Sequence, residues 1–142
     1  MALVVDTSVL LAALDLSDRD HAPCAELLSH TSEDLLVPML CLAELDYWCH
    51  ERLSAEAWLI FLADVNRGAY RVEPPTPHDL RRCQDLQSQY ADLRLGVVDA
   101  SIVCLVERLG EPKLATLDHR HFSVVVLSHV DGLILLPADR GR

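Results

Sequence analysis

The sequence predicts an α/β fold in which one mostly parallel sheet of four or five strands is flanked by helices. Short apolar segments rich in Val, Leu and Ile alternate along the chain with longer segments of helical periodicity. That alternation is typical of right-handed βαβ units and a parallel sheet. No linker rich in Gly, Pro or Ser divides the 142 residues. We therefore expect a single domain over residues 1–142, large enough for a well-formed core.

The first third is expected to hold one strand and two helices. Residues 2–5 are apolar on both faces, as in a central strand that helices cover on both sides. A helix follows to Leu14, with Thr7 and Ser8 as candidate capping residues. After a polar loop, a second helix begins at residue 21 and has a proline in its first turn.

The middle third is expected to hold two helices between two strands. The strands are predicted at residues 35–37 and 70–72. Residues 40–52 form the first helix, and its apolar face carries Leu42, Leu45 and Cys49. Ser54 caps the second helix, which runs to about residue 66.

The last third is expected to hold two more helices and the remaining strands. Thr76 begins a helix with a hydroxyl cap, a proline at the first position and an acid at the third. A strongly apolar helix over residues 97–109 ends at Gly110. Further strands are predicted at residues 113–117 and 133–136, and the segment 124–127 is compatible with another.

Charge and composition limit the function classes. The net charge of −10 argues against a protein that holds nucleic acid on a broad basic surface, although an enzyme acting on nucleic acid remains compatible. No apolar stretch reaches a membrane span and the N-terminus lacks a signal-peptide pattern, so we expect a cytoplasmic protein with no membrane association. The five cysteines form no C-x-x-C pair, and we expect them to be reduced and buried.

Four carboxylates stand where an apolar segment meets a polar connection or a helix: Asp6, Glu44, Asp99 and Asp118. Asp6 and Asp118 each follow a predicted strand, and α/β sheets bind ligands beyond the carboxyl ends of their strands. Glu44 and Asp99 lie inside apolar runs, where an unpaired charge is costly. We therefore expect the four side chains to share a hard cation, Mg²⁺ or Mn²⁺.

Each acid also has a structural explanation when taken alone. Asp6 can cap the first helix, and Asp99 stands in a helical first turn, where the dipole favours a negative charge. Asp118 can begin a turn, and Glu44 can be a solvated residue on a helix face. The joint pattern favours the metal site, because buried charges need a partner and few basic residues lie near these positions.

A cation held by carboxylates can lower the pKa of a bound water and stabilise charge on a phosphoryl oxygen. The expected reaction is therefore hydrolysis of a phosphodiester bond by a metal-activated water. The sequence has no G-x-S-x-G motif that would supply a protein nucleophile instead.

Four motifs in this order carry a family resemblance: Val4-Val5-Asp6-Thr7-Ser8-Val9, Leu42-Ala43-Glu44, Val98-Asp99-Ala100-Ser101-Ile102 and Ala115-Thr116-Leu117-Asp118. With them the chain resembles the PIN-domain ribonucleases, and most closely the VapC-type toxins of bacterial type II toxin–antitoxin pairs. The resemblance implies a PIN fold, dependence on Mg²⁺ or Mn²⁺, and endonucleolytic cleavage of RNA. It also implies a homodimer that a cognate antitoxin protein inhibits.

The resemblance gives roles to particular residues. Asp6 and Asp99 are the principal metal ligands, and Glu44 and Asp118 complete the acidic pocket. Hydroxyls that orient a carboxylate or a water belong to Thr7, Ser8 and Thr116. Two arginines near the expected mouth, Arg94 and Arg120, are predicted to bind RNA phosphate.

Several other polar and aromatic residues receive structural interpretations. His119 and His121 are two residues apart, and histidines at this spacing on a helix rarely face the same ion. We therefore expect no zinc site. Asp92 is either structural or indirectly linked to the site, because Gly96 breaks the helix between it and Asp99. Two helix residues, Trp48 and Trp58, are expected in the core or an interface.

Three other functions fit an α/β domain with acids at strand ends. A receiver-like regulator needs a lysine after a late strand, whereas Lys113 precedes its strand. A haloacid-dehalogenase-like phosphatase needs a second Asp two residues after its nucleophile, where this chain has Ser8. A catalytically silent PIN-like binding module is disfavoured by the four acids.

Overall fold

Strands and helices alternate along the chain in a computed structural model that describes residues 1–138. The strands are β1 (Ala2–Val5), β2 (Asp34–Pro38), β3 (Arg71–Glu73), β4 (Lys113–Ala115) and β5 (Ile134–Leu136). The helices are α1 (Thr7–Leu14), α2 (His21–His30), α3 (Met39–Arg52), α4 (Ala55–Asn66), α5 (Pro77–Gln89), α6 (Val97–Leu109) and α7 (His119–Phe122). A 3₁₀ turn at Ala91–Leu93 precedes α6. None of the helices within residues 1–138 has the length and apolar character needed to cross a membrane.

The five strands form one sheet in the order β3-β2-β1-β4-β5, and every neighbouring pair is parallel. The chain moves outwards from β1 to β3, then crosses to the other side of β1 to form β4 and β5. The strand order therefore reverses between β1 and β4. Connections leave such a switch point in opposite directions and open a crevice beyond the carboxyl ends of the two strands.

The register of β1 and β4 brings two of the motifs together in this crevice. Val5 lies opposite Ala115, and the Asp6 amide donates to the Ala115 carbonyl at 2.9 Å. Asp6 leaves the end of β1 beside Thr116, which leaves the end of β4. The sheet therefore joins the first and last motifs across more than one hundred residues of sequence.

The core lies on both faces of the two central strands. The side chains of Val4, Val5 and Leu114 are fully buried. Helix α6 is enclosed along most of its length, since residues 100–106 are all buried, and α5 packs against it. The five cysteines are free and buried, as the sequence predicts.

Two of the three predicted hydroxyl caps are present, those of α4 and α5. The hydroxyl of Thr76 accepts from the Asp79 amide, and the Asp79 carboxylate accepts from the Thr76 amide, each at 3.0 Å. Ser54 caps α4 through Ala57. The prediction for α1 is wrong, because Asp6 holds the cap position and Thr7 and Ser8 lie inside the helix.

Two other details differ from the sequence predictions. The fully buried residues of α3 are Cys41, Leu45 and Cys49, whereas the predicted Leu42 is only partly buried against the same core. Residues 124–127 form no strand, although Val125 and Leu127 are buried. The outer edge of β4 is already paired with β5, so this segment covers the core by its side chains without joining the sheet.

Candidate metal centre

The crevice between β1 and β4 is a cleft of about 360 Å³, and all four predicted carboxylates line it. Asp6 comes from the end of β1 and Glu44 from the second turn of α3. Asp99 stands in the first turn of α6, and Asp118 follows β4. Four separate elements therefore converge on one acidic cleft.

Asp6 is held at the floor of the cleft by two hydroxyls. Its side chain makes no capping bond to α1 and is only 5% exposed. Its Oδ2 atom accepts from Ser8 Oγ at 2.9 Å and from Thr116 Oγ1 at 2.8 Å. The same hydroxyls accept from backbone amides, Ser8 from Leu117 and Thr116 from Asp118, each at 3.0 Å. These bonds fix the direction of the Asp6 carboxylate, because each hydroxyl is itself anchored to the chain after β4.

Glu44 is oriented by the third predicted hydroxyl. Thr7 Oγ1 donates to Glu44 Oε1 at 2.8 Å, and this bond joins α1 to α3. The hydroxyls of Thr7, Ser8 and Thr116 thus each contact a carboxylate of the cleft.

Asp99 and Asp118 face each other across a histidine. The Nδ1 atom of His121 is 2.7 Å from Asp118 Oδ2 and 3.3 Å from Asp99 Oδ2. The other Asp118 oxygen accepts from the His121 amide at 3.2 Å and so caps α7. The capping role of Asp118 and its place in the cleft are therefore compatible, because each uses a different oxygen.

The electrostatics of the cleft favour a bound cation. Burial, together with the charges of Asp6 and Asp118, raises the pKa of Asp99 to about 7. Burial likewise raises the pKa of Asp6, with a contribution from the charge of Glu44. The hydrogen bond with Asp118, followed by the charge of Asp99, raises the pKa of His121. The clustered carboxylates repel one another when they are ionised, and a divalent cation such as Mg²⁺ or Mn²⁺ offsets this repulsion.

The cleft also contains residues to which sequence reasoning gave no role there. Trp48 and Arg52 line it, and the Arg52 guanidinium lies 4.5 Å from the centre of the Trp48 ring. Both follow Glu44 at four-residue steps on α3, so helical spacing alone was a sufficient signal for them. Trp48 packs against the core, as expected, and it also forms part of the cleft wall. Asp18 enters from the loop before α2, for which the sequence contained no comparable signal.

Other candidate residues lie outside the cleft lining. Arg94 and Arg120 are exposed and are not among its lining residues. Asp92 is exposed in the 3₁₀ turn, and Gly96 holds the N-cap position of α6, so the helix is interrupted between Asp92 and Asp99 as predicted. His119 is exposed, whereas His121 turns towards the acids.

Comparison with known proteins agrees with this fold. The family model for the PIN domain matches residues 3–126. Ribonuclease VapC26 of Mycobacterium tuberculosis is 32% identical over 123 residues, which cover 87% of this chain and 91% of that protein. The chain therefore belongs to the PIN domain family. Within that family it groups with the VapC-type proteins, as its acidic motifs indicated.

Solved structures share the fold at lower sequence identity. VapC20 of Mycobacterium tuberculosis, described as a sarcin-ricin loop cleaving toxin, superposes with a TM-score of 0.73 at 19% identity, over 79% of this chain and 86% of that one. VapBC2 from Rickettsia felis, bound to a DNA fragment from its promoter, gives a TM-score of 0.65 at 18% identity, over 95% and 97% of the two chains.

Proposed function

We infer that this protein is a metal-dependent endoribonuclease and the toxin component of a toxin–antitoxin pair. One observation carries the inference: four carboxylates from separate elements line one cleft at the switch point of the sheet. Identity of 32% to a protein named as a ribonuclease supports the same reaction. The substrate class is RNA, which suggests that the protein acts in the cytoplasm.

The four cleft carboxylates are the proposed metal-binding residues. Asp6 and Asp99 are the principal candidates, with Glu44 and Asp118 on the same cleft. When bound, Mg²⁺ or Mn²⁺ would supply activation of water and neutralise charge on the scissile phosphate. Oxygen ligands of this kind suit both ions.

The remaining residues of the cleft have positioning roles. Ser8 and Thr116 keep the Asp6 carboxylate fixed, and Thr7 does the same for Glu44. A site held in this way avoids the cost of arranging its ligands when substrate binds. Arg52 is the one arginine among the described residues that line the cleft, and a guanidinium pairs well with phosphate oxygens.

The position of Lys113 disfavours a receiver-like regulator. A receiver needs its lysine near the acids at the carboxyl ends of the strands. Lys113 begins β4, so it lies at the amino end of the strand, away from the acids, and it forms an ion pair with Glu33. The phosphate-responsive mechanism therefore has no lysine where it needs one within residues 1–138.

Cleavage of cellular RNA tests the proposal against a silent binding module. Purified protein would be incubated with total RNA and Mn²⁺, and new 5′ ends would be mapped by sequencing. We expect cuts at a small set of sites, and we expect chelation of the metal to abolish them. Intact RNA at saturating Mn²⁺ with correctly folded protein would favour the silent module.

A protein antitoxin is the proposed partner. Similar structures include toxin–antitoxin complexes, such as one from Klebsiella pneumoniae that is 16% identical with a TM-score of 0.62, over 87% of this chain and 92% of that one. The α3–α4 surface around residues 42–58 is our candidate contact region. Its exposed apolar residues include Tyr47, and the neighbouring Leu59 and Ile60 extend it, whereas Trp58 is half-buried against Phe61.

We also propose that the isolated protein is a homodimer. The exposed fractions of the adjacent Leu59 and Ile60 are 60% and 54%, and contiguous exposed apolar side chains can mark a protein–protein contact. Light scattering at tens of micromolar should report twice the chain mass of 15.8 kDa. A monomeric mass at that concentration would contradict the proposal.

A further inference from the structure

His121 lies against two of the cleft carboxylates, as a ligand would. Its Nδ1 atom points at one oxygen of Asp99 and one of Asp118, at 3.3 and 2.7 Å. The three atoms lie within 4.8 Å of one another, and no other group of three or more acidic, His or Cys side chains within residues 1–138 is so arranged.

These separations match those between neighbouring ligands of one ion. Magnesium–oxygen bonds are roughly 2.0–2.1 Å long in octahedral sites, so two ligands at right angles lie about 3 Å apart. The contacts at 2.7 and 3.3 Å bracket that value. An ion can therefore take the place of the Nδ1 hydrogen bonds with only small movements of the three side chains.

The backbone around the imidazole ring is also held in place. The His121 amide donates to Asp118 Oδ1 at 3.2 Å, so the first turn of α7 keeps the ring beside Asp118.

We propose that His121 is a nitrogen ligand of a metal position shared with Asp99 and Asp118. The inference rests on the proposed metal-dependent function and adds a residue that the acidic motifs do not contain. An imidazole suits transition metals, whereas Mg²⁺ prefers oxygen. His121 therefore biases this position towards Mn²⁺ over Mg²⁺.

Nitrogen coupling to bound Mn²⁺ tests the proposal directly. Electron–nuclear double resonance on the full chain loaded with Mn²⁺ should show coupling from one coordinated ¹⁴N. The His121→Asn variant places an amide near the Nδ1 position and can still donate to Asp118, but its amide nitrogen does not coordinate the ion. His121→Phe removes both functions. We expect the coupling to vanish in both variants and to persist in the matched control His119→Asn.

Affinities provide a second measurement. Loss of the imidazole should weaken Mn²⁺ binding about tenfold or more, in both His121 variants. Mg²⁺ binding should change by less than about threefold, because the oxygen ligands remain.

The outcomes separate this inference from the proposed function. Mn²⁺ binding and RNA cleavage without ¹⁴N coupling would overturn only the ligand role and leave His121 as a positioning residue. Unaltered Mn²⁺ affinity in His121→Phe would also overturn the ligand role of His121. No binding of Mn²⁺ to the wild-type protein would overturn both proposals.

Discussion

One face of α3 carries a carboxylate, an indole ring and a guanidinium, which belong to Glu44, Trp48 and Arg52. They follow one another at four-residue steps and all line the cleft. The Arg52 guanidinium rests on the Trp48 ring at 4.5 Å, so part of its conformational freedom is already lost before RNA binds. A pre-positioned guanidinium beside an acidic centre is suited to bind a phosphate of the substrate.

Replacing Arg52 should therefore weaken RNA binding more than it slows chemistry. In Arg52→Ala we expect KM for an RNA substrate to rise about tenfold, because one charge-assisted hydrogen bond to the substrate is lost. We expect a much smaller change in kcat. Initial rates over a range of RNA concentrations measure both quantities. The control Arg67→Ala removes an exposed arginine that pairs with Asp64 and does not line the cleft. Equal KM values for the two variants would contradict the assignment.

The side chains at strand ends were predictable because the end of an apolar run marks the position. Asp6 and Asp118 were found in this way, and Trp48 and Arg52 could have been found from helical spacing. Asp18 and His121 depend on how a loop and the short α7 fold back towards the cleft. Local sequence does not encode that path, because tertiary contacts determine it.

At the scale of elements, Thr116 links β4 to α1 and to the turn before α7. Its side chain is fully buried, donates to Asp6 and accepts from the Asp118 amide. In Thr116→Val both partners lose a bond inside the protein. We expect the free energy of unfolding to fall by about 1–3 kcal/mol, measured by urea denaturation without metal.

Ser29→Ala is the matched control for that measurement, since its exposed hydroxyl bonds only to the Glu26 carbonyl of the same helix. It should change stability by less than about 0.5 kcal/mol. An unchanged urea midpoint in Thr116→Val would mean that the hydroxyl network does not stabilise the folded state.

Helices α5 and α6 are joined by an ion pair with a pH dependence. Arg82 donates from Nε and Nη2 to Glu107, each at 3.1 Å, and the Ser128 amide donates to the same carboxylate at 2.7 Å. Burial acts against the charged form, but these hydrogen bonds prevail and lower the pKa of Glu107 below its ordinary 4.5. The folded state is therefore stabilised above pH 4.5, and that contribution is lost as the pH falls through the lowered pKa.

The variant Glu107→Gln should show a smaller loss of stability with acid than the wild type. Urea denaturation between pH 6 and pH 3 measures the difference. Glu56→Gln, an exposed acid at the start of α4, should keep the wild-type slope. If the free energy of unfolding falls equally with pH in the wild type and in Glu107→Gln, the ion pair does not cause the loss of stability in acid.

Elements were predictable wherever local chemistry decides them. The Thr76–Asp79 capping box and the apolar strands are examples, since neighbouring residues contain all the necessary information. The segment 124–127 alternates between buried and exposed residues as a strand does, but β5 already occupies the outer edge of β4. Thr7 and Ser8 were misread as caps because their bonding partners, Glu44 and Asp6, become clear only in three dimensions.

At the scale of the whole molecule, the net charge of −10 and the acidic cleft favour cationic partners. An antitoxin arginine is one such partner, because a guanidinium binds carboxylates bidentately and stays charged when buried. We expect antitoxin and metal to compete, and linkage makes the competition reciprocal. Antitoxin affinity should therefore fall as Mn²⁺ rises, and it should change in Asp99→Asn.

Titration calorimetry at several Mn²⁺ concentrations and constant ionic strength measures this competition. A matched series with a monovalent salt controls for general screening of charge. If affinity is flat across the Mn²⁺ series, the antitoxin inhibits by covering the RNA path, and the arginine mechanism is wrong.

The most direct test of the metal centre is RNA cleavage by variants that keep the shape of the carboxylates and remove their charge. Asp6→Asn and Asp99→Asn should slow single-turnover cleavage at saturating Mn²⁺ by about 100-fold or more. Both should melt cooperatively, and without metal at pH 8 they should melt at or above the wild-type temperature, because close carboxylates repel. Asp34→Asn, an exposed acid at the start of β2, is the control and should cleave normally. Full cleavage by either cleft variant would contradict a catalytic metal held by these carboxylates.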